Sequence, residues 1–427
     1  MAAPFLYRAW VAASMLLVPF FARTETRKLR RAGVSVSRAH EKLGHATQPR
    51  QQNGPLIWFH AASVGESLSV LALITRMGRA LPDAQFLITS GTATSAKLVQ
   101  DRLPPRTVHQ FAPLDAPGPL KRFLKHWRPD AAIFVESELW PQMLRRTYES
   151  GAKLALLNAR LSQKSMESWR KRPAFARYVL EVFELILTQN DKMAEAMVAM
   201  HAPPQRVARG INLKSMSDPL PVDQDALFEA RAALGHRPVW VASSTHPGEE
   251  DVVLEAHKRL LATRPDLHLI LAPRHPERGQ EVMNLISDAG LGVTRRSLGD
   301  APGDQVYLAD TMGELGTWYA FTDIVFLGGS LHPIGGHNSF EVAQSGATVL
   351  SGHHVTNFAE TFQEMQDLGA AQLISDASDL AEKVDALLSD DDARRQACDA
   401  ARAFAEGQTG QLDSIAERLI NVLELAG

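Results

Sequence analysis

Leu56-Ile57-Trp58-Phe59-His60-Ala61-Ala62-Ser63-Val64-Gly65-Glu66 passes from a short apolar run, through small residues, into a stretch with helical spacing. It reads as a strand, a tight loop and a helix from Glu66 to Ala80. The same grammar recurs along the chain. Further apolar strands are expected at 85–90, 131–135, 153–157 and 184–188. A second series is expected at 238–242, 268–272, 306–309, 324–327 and 347–350, with helices between most of them. Strands alternating with helices predict parallel sheets built from right-handed crossovers, so the fold class is α/β. Ser215-Met216-Ser217-Asp218-Pro219-Leu220-Pro221 carries turn formers and two prolines, and reads as the linker between two similar halves. A ligand is expected at the carboxyl ends of the strands, facing a cleft between the halves.

At roughly 100–200 residues per domain, 427 residues suggest two or three domains. Hydrophobic residues are 45% and charged residues 22% of the chain, which supplies full cores and excludes global disorder. A single cysteine, Cys398, excludes an internal disulfide and a Cys-based zinc site. With 45 basic against 48 acidic residues the net charge is −3, and nucleic acid is not an expected partner.

That average hides the N-terminus. Ala9 to Ala22 are uncharged and mostly apolar. With Pro4 to Tyr7 before them, they approach the roughly 17–20 residues a bilayer span needs. Eight basic residues follow between Arg23 and Arg50, against Glu25 and Glu41. A secretory signal has the opposite order. The arrangement predicts a membrane anchor, spanning or interfacial, with the rest of the chain cytoplasmic. Its basic collar is attracted to anionic headgroups by about 1 kcal/mol per charge. Arg8 and Pro19 count against a clean span, and an ordinary packed helix is the alternative.

Several strand ends carry chemistry. Glu66 falls in the first turn of a helix, where it serves either as a proton acceptor or only as a partner of the helix dipole. Glu136-Ser137-Glu138-Leu139-Trp140-Pro141 follows the strand at 131–135, and reads as a site carboxylate pair or a solvated turn. In Pro273-Arg274-His275-Pro276-Glu277-Arg278, Arg274 suits a phosphate because its planar fork binds oxygens bidentately. Ser243-Ser244-Thr245-His246-Pro247-Gly248-Glu249-Glu250 repeats the logic one unit earlier, and a metal site there is not favoured. Phe326-Leu327-Gly328-Gly329-Ser330-Leu331-His332-Pro333-Ile334-Gly335-Gly336-His337-Asn338-Ser339-Phe340-Glu341 is the strongest signal. Its glycine pairs allow close backbone approach, and Asn338 opens a helix. Glu341 is placed to meet ribose hydroxyls, to complete a capping box, or both. Asp223–Asp225 and Asp390–Asp392 read as acidic helix starts.

Taken in order, HAASVGE, ITSGTATSAK, FVESELWPQ, NARLSQKS, SSTHPGEE, PRHPER and GGSLHPIGGHNSFE span nearly the whole chain. As a set they resemble the 3-deoxy-D-manno-octulosonic acid (Kdo) transferases of lipopolysaccharide inner-core synthesis in Gram-negative bacteria. The resemblance implies a GT-B fold, with two Rossmann-like domains behind an N-terminal membrane-anchor helix. The anchor and collar would occupy 1–50, an acceptor-binding domain 51–214 and a donor-binding domain 215–427. CMP-Kdo is implied as donor and a lipid A precursor as acceptor, with no cofactor and no metal. Anionic membrane surface is the implied setting, on the cytoplasmic face of the inner membrane.

Residue by residue, the resemblance makes Glu66 the general base and assigns Glu136 and Lys214 to transition-state stabilisation. Pro273 and Arg274 would contact the nucleotide, and Met312-Gly313-Glu314 would lie near cytosine. Asn338, Ser339, Phe340 and Glu341 would hold the ribose side. After Lys214 the family's usual Phe-Asp is replaced by Ser215-Met216. A nucleotide-sugar 2-epimerase on the same fold, or a non-catalytic sugar-nucleotide-binding protein at the membrane, are the competing readings.

Overall fold

The computed structural model describes the whole chain except residues 1, 52, 53, 211, 212, 214–218 and 427. Lys214 and most of the expected linker therefore lie outside the described residues. The chain forms two compact units, one of residues 1–214 with 410–427 and the other of residues 215–409. The sequence reading ended the second half at 427. Instead, the last turns of the long helix Asp391–Val422 join the first unit. Arg76 pairs with Asp413 at 2.9 Å, and Lys153 pairs with Glu424.

The first unit is a seven-stranded parallel sheet, among the described residues, in the order β3-β2-β1-β4-β5-β6-β7. The strands are β1 (Leu56–His60), β2 (Gln85–Ser90), β3 (Thr107–Phe111), β4 (Ala131–Val135), β5 (Lys153–Ala159), β6 (Phe183–Thr188) and β7 (Val207–Arg209). β1 pairs with β2 on one side and β4 on the other, so successive crossovers run in opposite directions from this point. Both faces of β1 and β4 are covered, which is why they read as unbroken apolar runs. Trp58 anchors the core, 4.7 Å from Phe123 and 5.4 Å from Phe134 between ring centroids. Its indole N–H donates to the Thr89 hydroxyl at 2.8 Å.

The second unit repeats the plan in the order β10-β11-β9-β8-β12-β13-β14. Its strands are β8 (Val239–Thr245), β9 (His268–Pro273), β10 (Val293–Arg295), β11 (Val306–Leu308), β12 (Ile324–Leu327), β13 (Thr348–Ser351) and β14 (Ala371–Leu373). Here β8 lies between β9 and β12. Asp223 caps its helix by accepting from the Asp225 and Ala226 N–H groups, and Asp390 does the same for Asp392 and Ala393.

Two local expectations need correction. The helix expected at 66–80 starts earlier, at Val64 with Ser63 as its cap, and breaks at Val70 into Val64–Ser69 and Leu71–Ala80. At the break the Ser69 hydroxyl donates back to the Glu66 carbonyl at 2.8 Å, a bond that competes with the helical ladder. The basic collar, expected to meet anionic headgroups, does not do so throughout, since Glu41 and Lys42 are buried. The Glu41 carboxylate accepts from the Phe111 N–H at 2.8 Å and from the Thr47 hydroxyl, fixing this segment to the end of β3.

Helix α1 (Phe5–Arg31) is 27 residues long, with Pro19 inside it. Its mean hydropathy reaches 1.6 and only 6% of that window is buried, so it is long and apolar enough to cross a membrane. It is also tied to the first unit. Trp10 donates to Asp115 at 2.8 Å, Gln142 donates to the Ser14 hydroxyl at 2.7 Å, and Tyr7 meets Tyr178 edge to face.

Replacing Trp58 by Ala removes a fully buried ring and leaves a cavity beside Phe123 and Phe134. The expected cost is about 3–5 kcal/mol in the first unit's transition, measured by chemical denaturation.

Candidate active site

In each unit the loops that matter leave neighbouring strands at the point where the crossovers change direction. In the first unit these are the loops after β1 and β4. Glu66 and Glu138 both lie there and both are buried, yet their environments differ.

The Glu66 carboxylate accepts from the Ala62 N–H and the Ser63 hydroxyl, both at 2.9 Å, while Ser63 caps the Glu66 N–H at 3.3 Å. Burial, then the negative charges of Glu138 and Glu136, hold its carboxyl above the ordinary value despite those hydrogen bonds. Glu66 thus completes its helix cap, and its carboxyl holds a proton more readily than an exposed glutamate's.

Glu138 goes the other way. Burial alone would raise it, but the hydrogen bond and charge of His60, with the Trp140 indole, bring it below the ordinary value. His60 Nε2 lies 3.1 Å from the Glu138 carboxylate, and Trp140 Nε1 donates to the same oxygen at 2.5 Å.

Glu136 is buried and sits in the left-handed region at φ 55°, as does Asn158 near the end of β5. The Asn158 amide donates to Glu136 at 3.4 Å, and the Glu136 N–H donates to the Leu157 carbonyl at 2.9 Å. That last bond carries the β4–β5 pairing one residue beyond β4. A non-glycine residue at positive φ is strained backbone, held here because both neighbours are fixed.

In the second unit the loops after β8 and β12 meet on Glu249, a residue that sequence reasoning set aside. Its side chain is fully buried. It accepts from the N–H groups of His246 (2.9 Å), Gly329 (2.7 Å), Ser330 (2.8 Å) and Leu331 (2.9 Å). The first glycine pair follows from this contact. A Cβ on Gly328 would stand 2.8 Å from the Glu249 carboxylate, and Gly329 has φ 68°. His246 and His337 stack over the same loop with Nε2 atoms 3.0 Å apart and rings inclined by 10°. Burial, then the nearby Arg274 charge, pulls His337 down to about 4.

The two arginines of the segment after β9 have separate roles. Arg278 is bound to the buried Glu250 at 2.7 Å and to Glu281 at 2.7 Å. Arg274 is exposed, and its guanidinium makes no ion pair or hydrogen bond among the described residues. Pro273 ends β9 and is buried. Met312 is exposed and Gly313 has φ 86°. The Glu314 carboxylate is held by Arg296 at 2.7 Å and by the Thr311 hydroxyl.

Asn338 caps the helix Ser339–Gln344 by accepting from the Phe340 N–H at 3.2 Å, and its amide donates to Glu341 at 3.4 Å. Ser339 is buried, and its hydroxyl has no hydrogen-bond partner among the described residues. Phe340 turns inward, 6.3 Å from the Phe404 ring, so its side chain is part of the core. The first unit therefore gathers Glu66, Glu136 and Glu138. The second gathers Glu249, His246, His337 and the loops bearing Arg274 and Asn338. Gly328 and Gly329 were the available sequence signal for Glu249, because a loop that cannot tolerate a Cβ needs something buried beneath it.

A family profile described as 3-Deoxy-D-manno-octulosonic-acid transferase (kdotransferase) matches residues 37–217. A 3-deoxy-D-manno-octulosonic acid transferase of Rickettsia felis is 37% identical over 342 residues, covering 78% of this chain and 72% of that protein. The enzyme of the same description from Haemophilus influenzae is 32% identical over 387 residues, covering 89% and 90%. Among solved structures, a putative UDP-N-acetylglucosamine 2-epimerase from Listeria monocytogenes matches 88% of this chain and 98% of its own, with a TM-score of 0.57 at 14% identity. At that identity the likeness concerns the fold, two α/β units of the GT-B kind.

Replacing Glu249 by Ala leaves four N–H groups without an acceptor, at roughly 1–3 kcal/mol for each that water cannot reach. The second unit is expected to lose on the order of 4 kcal/mol in chemical denaturation. Amide exchange at residues 328–331 should accelerate in parallel.

Proposed function

We propose that this chain, which belongs to the 3-deoxy-D-manno-octulosonic acid (Kdo) transferase family, moves Kdo from CMP-Kdo to the lipid A precursor lipid IVA. Glycosyl transfer follows from membership of that family, while the donor, the acceptor and an inverting course are proposed. The reaction is placed at the cytoplasmic face of the inner membrane, with α1 as the anchor. The length and apolar character of α1 support that setting.

Glu66 takes the proton from a primary hydroxyl of the acceptor's glucosamine as that oxygen bonds to the anomeric carbon of Kdo. The bond from that carbon to the CMP phosphate oxygen breaks, CMP leaves with the electron pair, and the configuration inverts. The observation that carries this reading is the raised basicity of Glu66 in the first helical turn beyond the end of a central strand. Arg274, with no partner among the described residues, is suited to the phosphate of the departing CMP. Glu136 and Lys214 are assigned to the developing charge in the transition state, the 312–314 loop to cytosine, and Asn338 to Glu341 to the ribose. No step calls for a metal ion.

Glu66→Gln is expected to reduce Kdo transfer at least a thousandfold, about 4 kcal/mol in the barrier, with CMP binding nearly intact. Mass spectrometry of products from CMP-Kdo and a tetraacylated lipid A precursor measures this and counts the Kdo residues added. Retained turnover would remove Glu66 from the role of base.

A second experiment uses pH. A base works in its ionised form, so activity should fall as pH drops through the raised Glu66 value. Glu138→Gln removes the largest charge that raises it, and the acid limb of kcat/KM should then move to lower pH.

A further inference from the structure

α1 does more than project from the first unit. One face, carrying Trp10, Leu17 and Phe21, forms a wall of a cavity of about 570 Å³, and Leu114 and Met143 line it from the body of the unit. α1 also exposes Met15, Leu16 and Phe20. A slot with a partly apolar wall thus lies along a helix that carries further exposed apolar side chains.

The same cavity also has charged and hydrogen-bonding groups in its wall. Lys42, Lys28, His60, Glu25, Asp115, Glu138 and Ala62 line it, and the Ala62 N–H is the group that donates to the Glu66 carboxylate. Lys42 is 6% exposed, and its ammonium has no ion pair or hydrogen bond among the described residues. Burial lowers its pKa to about 8. A buried cation without a partner is costly, and an anion brought by a ligand would remove that cost.

We propose that this slot holds one acyl chain of the acceptor glycolipid between α1 and the first unit, with an anionic group of the same molecule on Lys42. The placement rests on the acceptor reading above and adds where that acceptor lies. A chain in the slot brings the sugar to which it is attached to the helix start bearing Glu66. α1 then acts as a wall of the acceptor site as well as an anchor. An apolar chain alone would leave Lys42 unpaired, and an anionic sugar alone would leave the apolar wall uncovered, so an acylated, phosphorylated sugar fits both features.

The test compares a tetraacylated lipid A precursor with its deacylated, still phosphorylated counterpart, using full-length protein in detergent. Each buried methylene is worth about fourfold in affinity, so a few of them should lower the wild-type KM for the acylated acceptor at least a hundredfold. Ala13→Trp, which places an indole in the slot, should raise that KM at least tenfold and leave turnover of the deacylated acceptor unchanged. Unchanged turnover also shows that the variant has folded. Lys42→Met should abolish the preference for a phosphorylated over a dephosphorylated acceptor, and Lys42→Arg should retain it. Equal KM for both acceptors in the wild type, or an equal effect of Ala13→Trp on both, would overturn the slot while leaving the transferase reading in place. Ala13→Trp weakening vesicle binding with no change in KM would mean a bilayer phospholipid fills the slot, and would overturn it too. Absence of transfer to either acceptor by the wild type would instead overturn the transferase reading.

Discussion

A doubly wound parallel sheet must change its direction of winding once, and the two loops that leave the sheet there diverge and open a crevice. In this chain that constraint acts twice, between β1 and β4 and again between β8 and β12. Divergence leaves loop backbone without the sheet's hydrogen bonds. Buried carboxylates satisfy part of it: Glu249 gathers four N–H groups in the second unit, and Glu66 binds the N–H of Ala62 in the first. Acidic residues at these strand ends are thus required by backbone chemistry before any substrate is considered.

What separates a bracing carboxylate from one proposed as a base is the rest of its surroundings. Glu249 uses both oxygens on backbone N–H groups and lies under the glycine loop. Glu66 has two neighbours of its own charge and a hydroxyl partner that can rotate. The positive φ of Glu136, Asn158 and Ser244, each at or beside the end of a strand, places backbone strain in the same regions. Strain of this kind persists only where the surrounding structure over-determines it, and it concentrates at functional sites.

Legibility of the sequence followed pairing. The ten strands read from apolar runs are the interior strands of the two sheets. The four not read, β3, β7, β10 and β14, are the edges. An edge strand pairs on one side only and need not be apolar throughout. β3 contains His109 and Gln110, and the other three have three residues each. Glu66, Glu136 and Arg274 were visible because each follows an interior strand within one to six residues. His337 and Glu249 were not assigned roles, because their meaning depends on a partner 91 or 80 residues away. The burial of Lys42 was equally hidden, since in sequence it belongs to a basic run.

The two carboxylates of the first unit explain each other. His60 and Trp140 hold Glu138 in its charged form even though it is buried. That retained charge is then the largest of those that raise Glu66. Without the His60 contact, burial would push Glu138 toward its neutral form and the repulsion felt by Glu66 would fall. His60 thus acts on the basicity of Glu66 through Glu138. Two acidic groups driven apart in pKa by their surroundings can divide the work, one keeping its charge and the other exchanging a proton. Here the one free to exchange is Glu66, and the residue that makes it so is a histidine at the end of β1, the strand from which the crossovers wind in both directions.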